Sequence, residues 1–237
     1  MPVTNKDFNN IKIHTQYSIC EGAIKIDDLA EYCKNHKVKS LGLADSYNLC
    51  GALEFAEKLS KVGTHPIIGT QINLKAFNTV GKITLYAKSE IGYKNLTTLS
   101  SMSYLKSNSN EDPACEIKDI LSNNKDLILL TGNYRNFFGK LFYSNKIKNF
   151  NEIINLLKKY FDNRLYFEIQ RHNENEEKNY ENFILNNSET FKIPIIASQE
   201  VFYLEQDMFE AHDALTCIGE KNLLMTKIDL NTAMNIF

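Results

Sequence analysis

The stretch IHTQYSICEGAIKIDDLAEYCKNHKVKSLGLADSYNLCGALEFAEKLSKVGTHPIIGTQINL, from Ile13 to Leu74, carries the pattern that decides the fold. It begins inside a β-like run, Asn10 to Thr15, with His14 near the end of that run. Ile26 to Lys37 then places Ile26, Leu29, Ala30 and Cys33 on one face at helical spacing. Asp27 and Asp28 fall in its first turn, where carboxylates favour the helix dipole. Ser40 to Asp45 (SLGLAD) reads as a second strand. Gly51 to Val62 reads as a second helix, closed by Gly63 as a C-terminal cap. His65 to Leu74 reads as a third strand.

The alternation continues outward from there. Lys82 to Ala87, Asp126 to Thr131, Arg164 to Gln170 and Pro194 to Ser198 read as strands. Gly92 to Leu105, Ile117 to Ser122, Phe150 to Phe161 and Glu176 to Phe191 read as helical. Phe150 to Phe161 is the most regular, with Ile153, Ile154, Leu157 and Phe161 on one face. Ser107 to Ala114 reads as a polar loop. Strands alternating with helices imply βαβ units, mostly parallel pairing and an α/β fold. Periodicity alone leaves a closed barrel and an open sheet both standing. Either places a functional site at the C-terminal ends of the strands.

The 237 residues suit one large domain, and 43% hydrophobic with 24% charged residues is ordinary for a globular chain. The net charge of −2 argues against a nucleic-acid footprint over the whole surface and leaves room for a local basic stripe. The five cysteines, Cys20, Cys33, Cys50, Cys115 and Cys217, form no CxxC pair. They read as small buried hydrophobes of a reducing, cytoplasmic protein. No basic-then-apolar start reads as a signal peptide, and no apolar run of about 18 residues reads as a membrane span. Walker, GxGxxG, GxSxG and HExxH motifs are absent. The abundant Phe and Tyr fall mostly at core spacing rather than as a base-stacking platform.

Several polar residues fall at or near the expected strand ends: His14, Glu21, Asp45, Gln71, His172 and Glu200. Imidazoles and carboxylates converging on one rim can hold divalent ions that activate water and clamp a phosphate ester. From spacing alone, ordinary structural roles are the stronger reading. His36, His65 and His212 show no ligand spacing and read as structural.

Three stretches in this order carry a resemblance: Ile13 to Leu74, RLYFEIQRH from Arg164 to His172, and IPIIASQEVFYLEQDMFEAHDALTCIGEKN from Ile193 to Asn222. With HTxYSxxxGA, GALEF, PIIG and EAHDALxCIGE, the chain resembles the PHP (polymerase and histidinol phosphatase) domain of bacterial DNA polymerase III alpha subunits. The resemblance implies a PHP-type distorted (β/α)7 barrel, a single domain spanning residues 1–222, followed by a divergent or truncated segment, 223–237. Active members of the family hold metals with an HxH at the first strand, an acid after YS, an Asp-His pair after the second strand, a Glu after PIIG, a His after EIQ and an Asp-x-His near the last strand. Carried over, the vestigial ligands are His14, Glu21, Asp45, His172 and Glu200, with Glu200 standing where an Asp is usual. The substituted positions are Lys12, Ser46, Gln71 and Phe202.

Three lost histidines, and an amide where a bridging carboxylate belongs, leave too few ligands. Lys12 also puts a cation where a metal would sit. No catalytic residue is therefore expected, and no cofactor beyond weak manganese or zinc binding. This pattern resembles the polymerase subgroup whose PHP domain is a structural module that docks a separate proofreading exonuclease subunit. The resemblance implies a role in DNA replication, with the rest of the alpha subunit and the exonuclease as partners, DNA met only indirectly, and no membrane. DNA-directed DNA polymerase (nucleotidyltransferase) activity would belong to parts beyond Phe237. The alternatives are a residual metal-dependent phosphoesterase or 3′–5′ exonuclease, and a free-standing PHP-like protein. Lys12, His14, Glu21, Asp45, Ser46, Gln71, His172, Glu200 and Phe202 are expected on one rim, with the Lys12 nitrogen within about 4 Å of a carboxylate oxygen.

Overall fold

The structure, a computed structural model, describes residues 8–108, 111–172 and 174–220; the expected segment 223–237 lies outside them. In chain order the first elements are β1 (Lys12–Ile13), α1 (Ile26–His36), β2 (Ser40–Leu43), α2 (Ala52–Lys61), β3 (His65–Ala76) and β4 (Thr79–Ala87). Next come α3 (Glu90–Lys106), β5 (Ala114–Glu116), α4 (Ile117–Ser122), β6 (Leu127–Leu130), α5 (Phe137–Tyr143) and α6 (Ile147–Phe161). The last are β7 (Leu165–Ile169), α7 (Asn175–Phe191), β8 (Ile195–Ala197), β9 (Glu200–Val201) and α8 (Phe209–Glu220). The chain divides into two compact units, residues 1–68 with 199–237, and residues 69–198.

In the first unit β1 runs parallel to both β2 and β9, with Ile13 opposite Leu43 and Lys12 opposite Glu200. β2 runs parallel to the start of β3. The helices cover this sheet through the faces that their sequences advertise. α1 buries Ile26, Leu29, Ala30 and Cys33, and α2 buries Ala52, Phe55 and Leu59. These side chains join Ile13, Ile24, Leu41, Leu43 and Val201 in one core. Truncating a fully buried member such as Phe55 would cost about 3–5 kcal/mol. α2 ends at Val62, and Gly63 follows it at φ +86°, the left-handed turn that glycine was expected to supply.

In the second unit β3 continues from Gly69 and turns back antiparallel into β4, with Ala76 opposite Thr79. Phe77 and Asn78 form the two-residue connection at φ +51° and +53°, the primed turn that matches strand twist. β4 also pairs antiparallel with β6, whereas β6, β7 and β8 are mutually parallel and β5 joins β3 in parallel. The expectation of mostly parallel pairing therefore holds except at β4. Four elements were not anticipated: β5, whose Ala114 was read into a polar loop, α5, β9 and α8.

The cysteine reading needs correction as well. Cys33, Cys115 and Cys217 are buried, but Cys20 is half-buried and Cys50 exposed. Burial pushes the Cys33 thiol up to about 11 and the Cys115 thiol up to about 12, which keeps both protonated and inert.

Candidate functional site

The short strand β1 fixes the first part of the site. Its parallel register sets Lys12 opposite Glu200 on β9, so the two side chains project together. Lys12 is completely buried, and its Nζ lies 3.5 Å from Glu200 Oε1. That meets the expected ion-pair distance. The His14 Nε2 lies 3.6 Å from the same oxygen. The Phe202 ring stacks on the His14 imidazole, with centroids 4.5 Å apart. His212, on α8, lies on Phe202 at 5.7 Å, so three rings form one pile.

The second part centres on Asp45, which is fully buried just beyond β2. Its Oδ1 accepts from the Thr15 amide at 2.6 Å and from the Ser18 hydroxyl at 2.7 Å. Its Oδ2 accepts from the Thr15 hydroxyl at 2.7 Å. The Ser18 oxygen also accepts from the Ser46 amide at 3.1 Å and lies 3.4 Å from His14 Nδ1. Since the single hydroxyl proton of Ser18 points to Asp45, His14 Nδ1 is the donor in that contact. The Ser46 hydroxyl donates to Glu21 Oε2 at 2.5 Å. His212 Nε2 donates to the Glu21 carbonyl at 2.7 Å, and burial holds its pKa below the usual histidine value.

Thus the first unit gathers Lys12, His14, Glu200 and Phe202, and links Glu21, Asp45 and Ser46 through Ser18. Gln71 and His172 belong to the second unit. The expectation that every site residue ends or follows a strand does not hold. Gln71 is buried inside β3, five residues before its end, while Lys12 opens β1 and Glu200 opens β9.

His172 does follow β7 and is buried. Its Nδ1 lies 2.6 Å from Glu177 Oε1, and its amide donates to both Glu177 oxygens at 2.8 Å. Glu177 also accepts from the Glu174 amide at 3.2 Å, closing a capping box at the start of α7. Nearby in sequence, Glu168 is a buried carboxylate bonded by the Gly132 amide at 3.0 Å, the Gln170 side chain at 2.7 Å and the Ser198 hydroxyl. Sequence reading missed Thr15, Ser18, Glu168 and Glu177. The available signal was hydroxyls one and four residues after His14, and an acid five residues after His172.

These donor sets do not fit a divalent metal. Both oxygens of Asp45 are taken up by protein donors, Glu21 holds a hydroxyl, and Glu200 faces an ammonium. An ion on Glu200 would lie within a few ångströms of Lys12, where like charges repel by several kcal/mol at an effective dielectric of roughly 20. Among the described residues no group of three or more His, Cys, Asp or Glu is disposed to hold a metal ion.

Comparison with known proteins bears on the fold and the lineage. The model of the PHP domain matches residues 10–172. The DNA polymerase III subunit alpha of Rickettsia prowazekii is 34% identical over 218 residues, covering 90% of this chain and 18% of that protein. The one from Caulobacter vibrioides is 30% identical over 221 residues, covering 90% of this chain and 19% of that protein. This chain therefore spans about a fifth of the length of the curated relatives that it matches. Among solved structures, an amidohydrolase from Chromobacterium violaceum with bound sulfate and no metal aligns at a TM-score of 0.54 with 9% identity, over 87% of this chain and 96% of that one. A candidate metal-dependent phosphoesterase from Bifidobacterium adolescentis aligns at 0.51 with 10% identity, over 81% and 86%. These likenesses bear out the PHP-type α/β fold read from the sequence, and the relatives are homologous to this chain as a polymerase III alpha region. The chain belongs to the PHP domain family.

Proposed function

We propose that this chain serves as a non-catalytic structural module of a replicative DNA polymerase III alpha subunit, supporting the polymerase body and docking the proofreading exonuclease subunit in the cytoplasm. The observation that carries the reading is the buried Lys12 ammonium 3.5 Å from Glu200, a fixed cation at a position where active relatives place a metal ligand. The saturated Asp45 supports it, because a carboxylate engaged by three protein donors has little left to offer an ion. Among the described residues no helix is long and apolar enough to cross a membrane, which is compatible with the reading.

The competing reading is a residual metal-dependent phosphoesterase, favoured by the retained His14, Glu21, Asp45, His172 and Glu200 and by the description of the Bifidobacterium neighbour. One experiment separates them. The purified chain is assayed on single-stranded DNA and on a phosphate monoester with manganese or zinc. Beside it runs a variant carrying Lys12→His, Ser46→His, Gln71→Glu and Phe202→His. The proposal expects no hydrolysis above background by the parent, and co-elution of the parent with the cognate exonuclease subunit on size exclusion. Metal-dependent hydrolysis by the parent would overturn it in favour of the enzyme. Failure to co-elute would remove the docking role.

A further inference from the structure

The C-terminal ends of α1 and α2 meet at one edge of the first unit. The Thr64 hydroxyl donates to the Val38 carbonyl at 2.8 Å, and the His65 amide donates to the Lys39 carbonyl at 2.8 Å. Ser40 is the register partner of His65. The connections at residues 37–39 and 62–64 therefore run side by side. They and the helix ends beside them carry Lys34, Lys37, Lys39 and Lys61, all exposed. No acidic residue occurs from Tyr32 to Ala44 or from Lys58 to Ile68. The flanking acids, Glu31 and Glu57, lie further back along their helices, and Glu205 acts on Tyr32. None of the four lysines forms an ion pair among the described residues, whereas Lys58 is held between Asp27 and Glu54.

Complementing the helix dipoles accounts for Lys34 and Lys61, which lie in last turns. It does not account for Lys37 and Lys39, which follow the helix. Lys37 is also left-handed, at φ +54° and ψ +43°, in a cap position that favours glycine or asparagine. A cation stands there in a strained conformation, as Lys192 does at the end of α7. The edge also lacks what a protein partner would use. None of the exposed large hydrophobic side chains falls within residues 32–44 or 58–68. The centre of a protein interface is depleted of charge, whereas a phosphate backbone needs only cations. The first unit contains no arginine, so the bidentate fork that most often reads guanine is missing.

We infer that this edge binds the phosphate backbone of nucleic acid, without sequence preference. The inference revises the expectation that the chain meets DNA only indirectly, and it is independent of whether the metal site is lost.

The test is fluorescence anisotropy with the full chain, a labelled single-stranded oligothymidylate, a labelled duplex, and unlabelled and labelled polyglutamate as the acidic-protein control. Four phosphate contacts predict that affinity for the single strand falls about fiftyfold between 50 and 200 mM salt. The charge reversal Lys34→Glu, Lys37→Glu, Lys39→Glu and Lys61→Glu should abolish binding at 50 mM. Lys37→Gly separates charge from structure: it should raise the melting temperature by relieving the cap while weakening binding several-fold, and it serves alone if the quadruple variant does not fold. Absence of DNA binding by the parent at 50 mM salt, unchanged affinity in Lys37→Gly and the charge reversal, or binding of polyglutamate in place of DNA would each overturn the inference.

Discussion

The strand ends around β1, β2 and β9 and the end of β7 have been treated differently. At the first, a lysine faces Glu200, a serine holds Glu21, and a phenylalanine covers His14, which on the proposed reading are substitutions at ligand positions. At the second, the histidine remains, and it is tied to Glu177 at the head of α7. On the proposed reading, the difference explains how a ligand residue outlasts its metal. His14 and Asp45 lie in a network of hydroxyls, and His172 is part of a helix cap. Each of these residues has a structural partner in the chain itself. Lys12, Ser46 and Phe202 supply a charge to Glu200, a hydrogen bond to Glu21 and a ring to His14.

The largest effect should come from the β7 end. Glu177→Ala leaves the His172 amide, the His172 ring and the Glu174 amide without their acceptor in a buried setting. Urea denaturation should record a loss of about 3 kcal/mol. A loss below about 1 kcal/mol would mean that His172 is not held as a cap. Lys12→Met should rank next, at about 2 kcal/mol, because it strands Glu200 beside buried groups while partial exposure leaves that carboxylate some water. Adding Glu200→Gln should recover most of the loss, and strictly additive effects would show that the two do not interact. Ser46→Ala removes one hydrogen bond to a charged group and should cost about 1 kcal/mol.

The smallest effect is a pH dependence. Burial lowers the His212 pKa in the folded state, so the unfolded chain takes up its proton first. Stability is then lost as pH falls through the unfolded value near about 6.5 and on toward the folded one. His212→Gln should flatten the decline in melting temperature between pH 7 and pH 5. An identical slope in parent and variant would show that His212 is not the group responsible.

Much of this was legible in the chain. α1, α2 and α6 announce themselves through apolar residues at helical spacing, and the structure buries those same faces. α5 did not, because its sequence FFGKLFY has no polar stripe and its aromatic residues are weak helix formers. It is held by tertiary packing instead. Gly139 lies so close to the Tyr134 carbonyl that a Cβ there would sit at 1.9 Å. The antiparallel course of β4 was hidden because the Phe77–Asn78 turn lacks the glycine that usually marks such hairpins. In the site, the Lys12–Glu200 pair was foreseeable from like charges that need a cation. Thr15 and Ser18 were not, since a hydroxyl near an acid in sequence is common and only the fold turns both onto Asp45.

The central claim is that the chain's own side chains occupy the roles a metal would fill, and metal analysis tests it most directly. The purified chain is dialysed against zinc and then manganese, its metal content is measured by mass spectrometry, and its melting temperature is recorded with and without a chelator. A ligand bound at a hundred times its dissociation constant adds about 2.7 kcal/mol to stability, so a bound metal would be evident in the melt. The account predicts well under one metal per chain and a melting temperature that a chelator leaves unchanged. One or more tightly held metals per chain, with a clear drop in melting temperature on chelation, would contradict it.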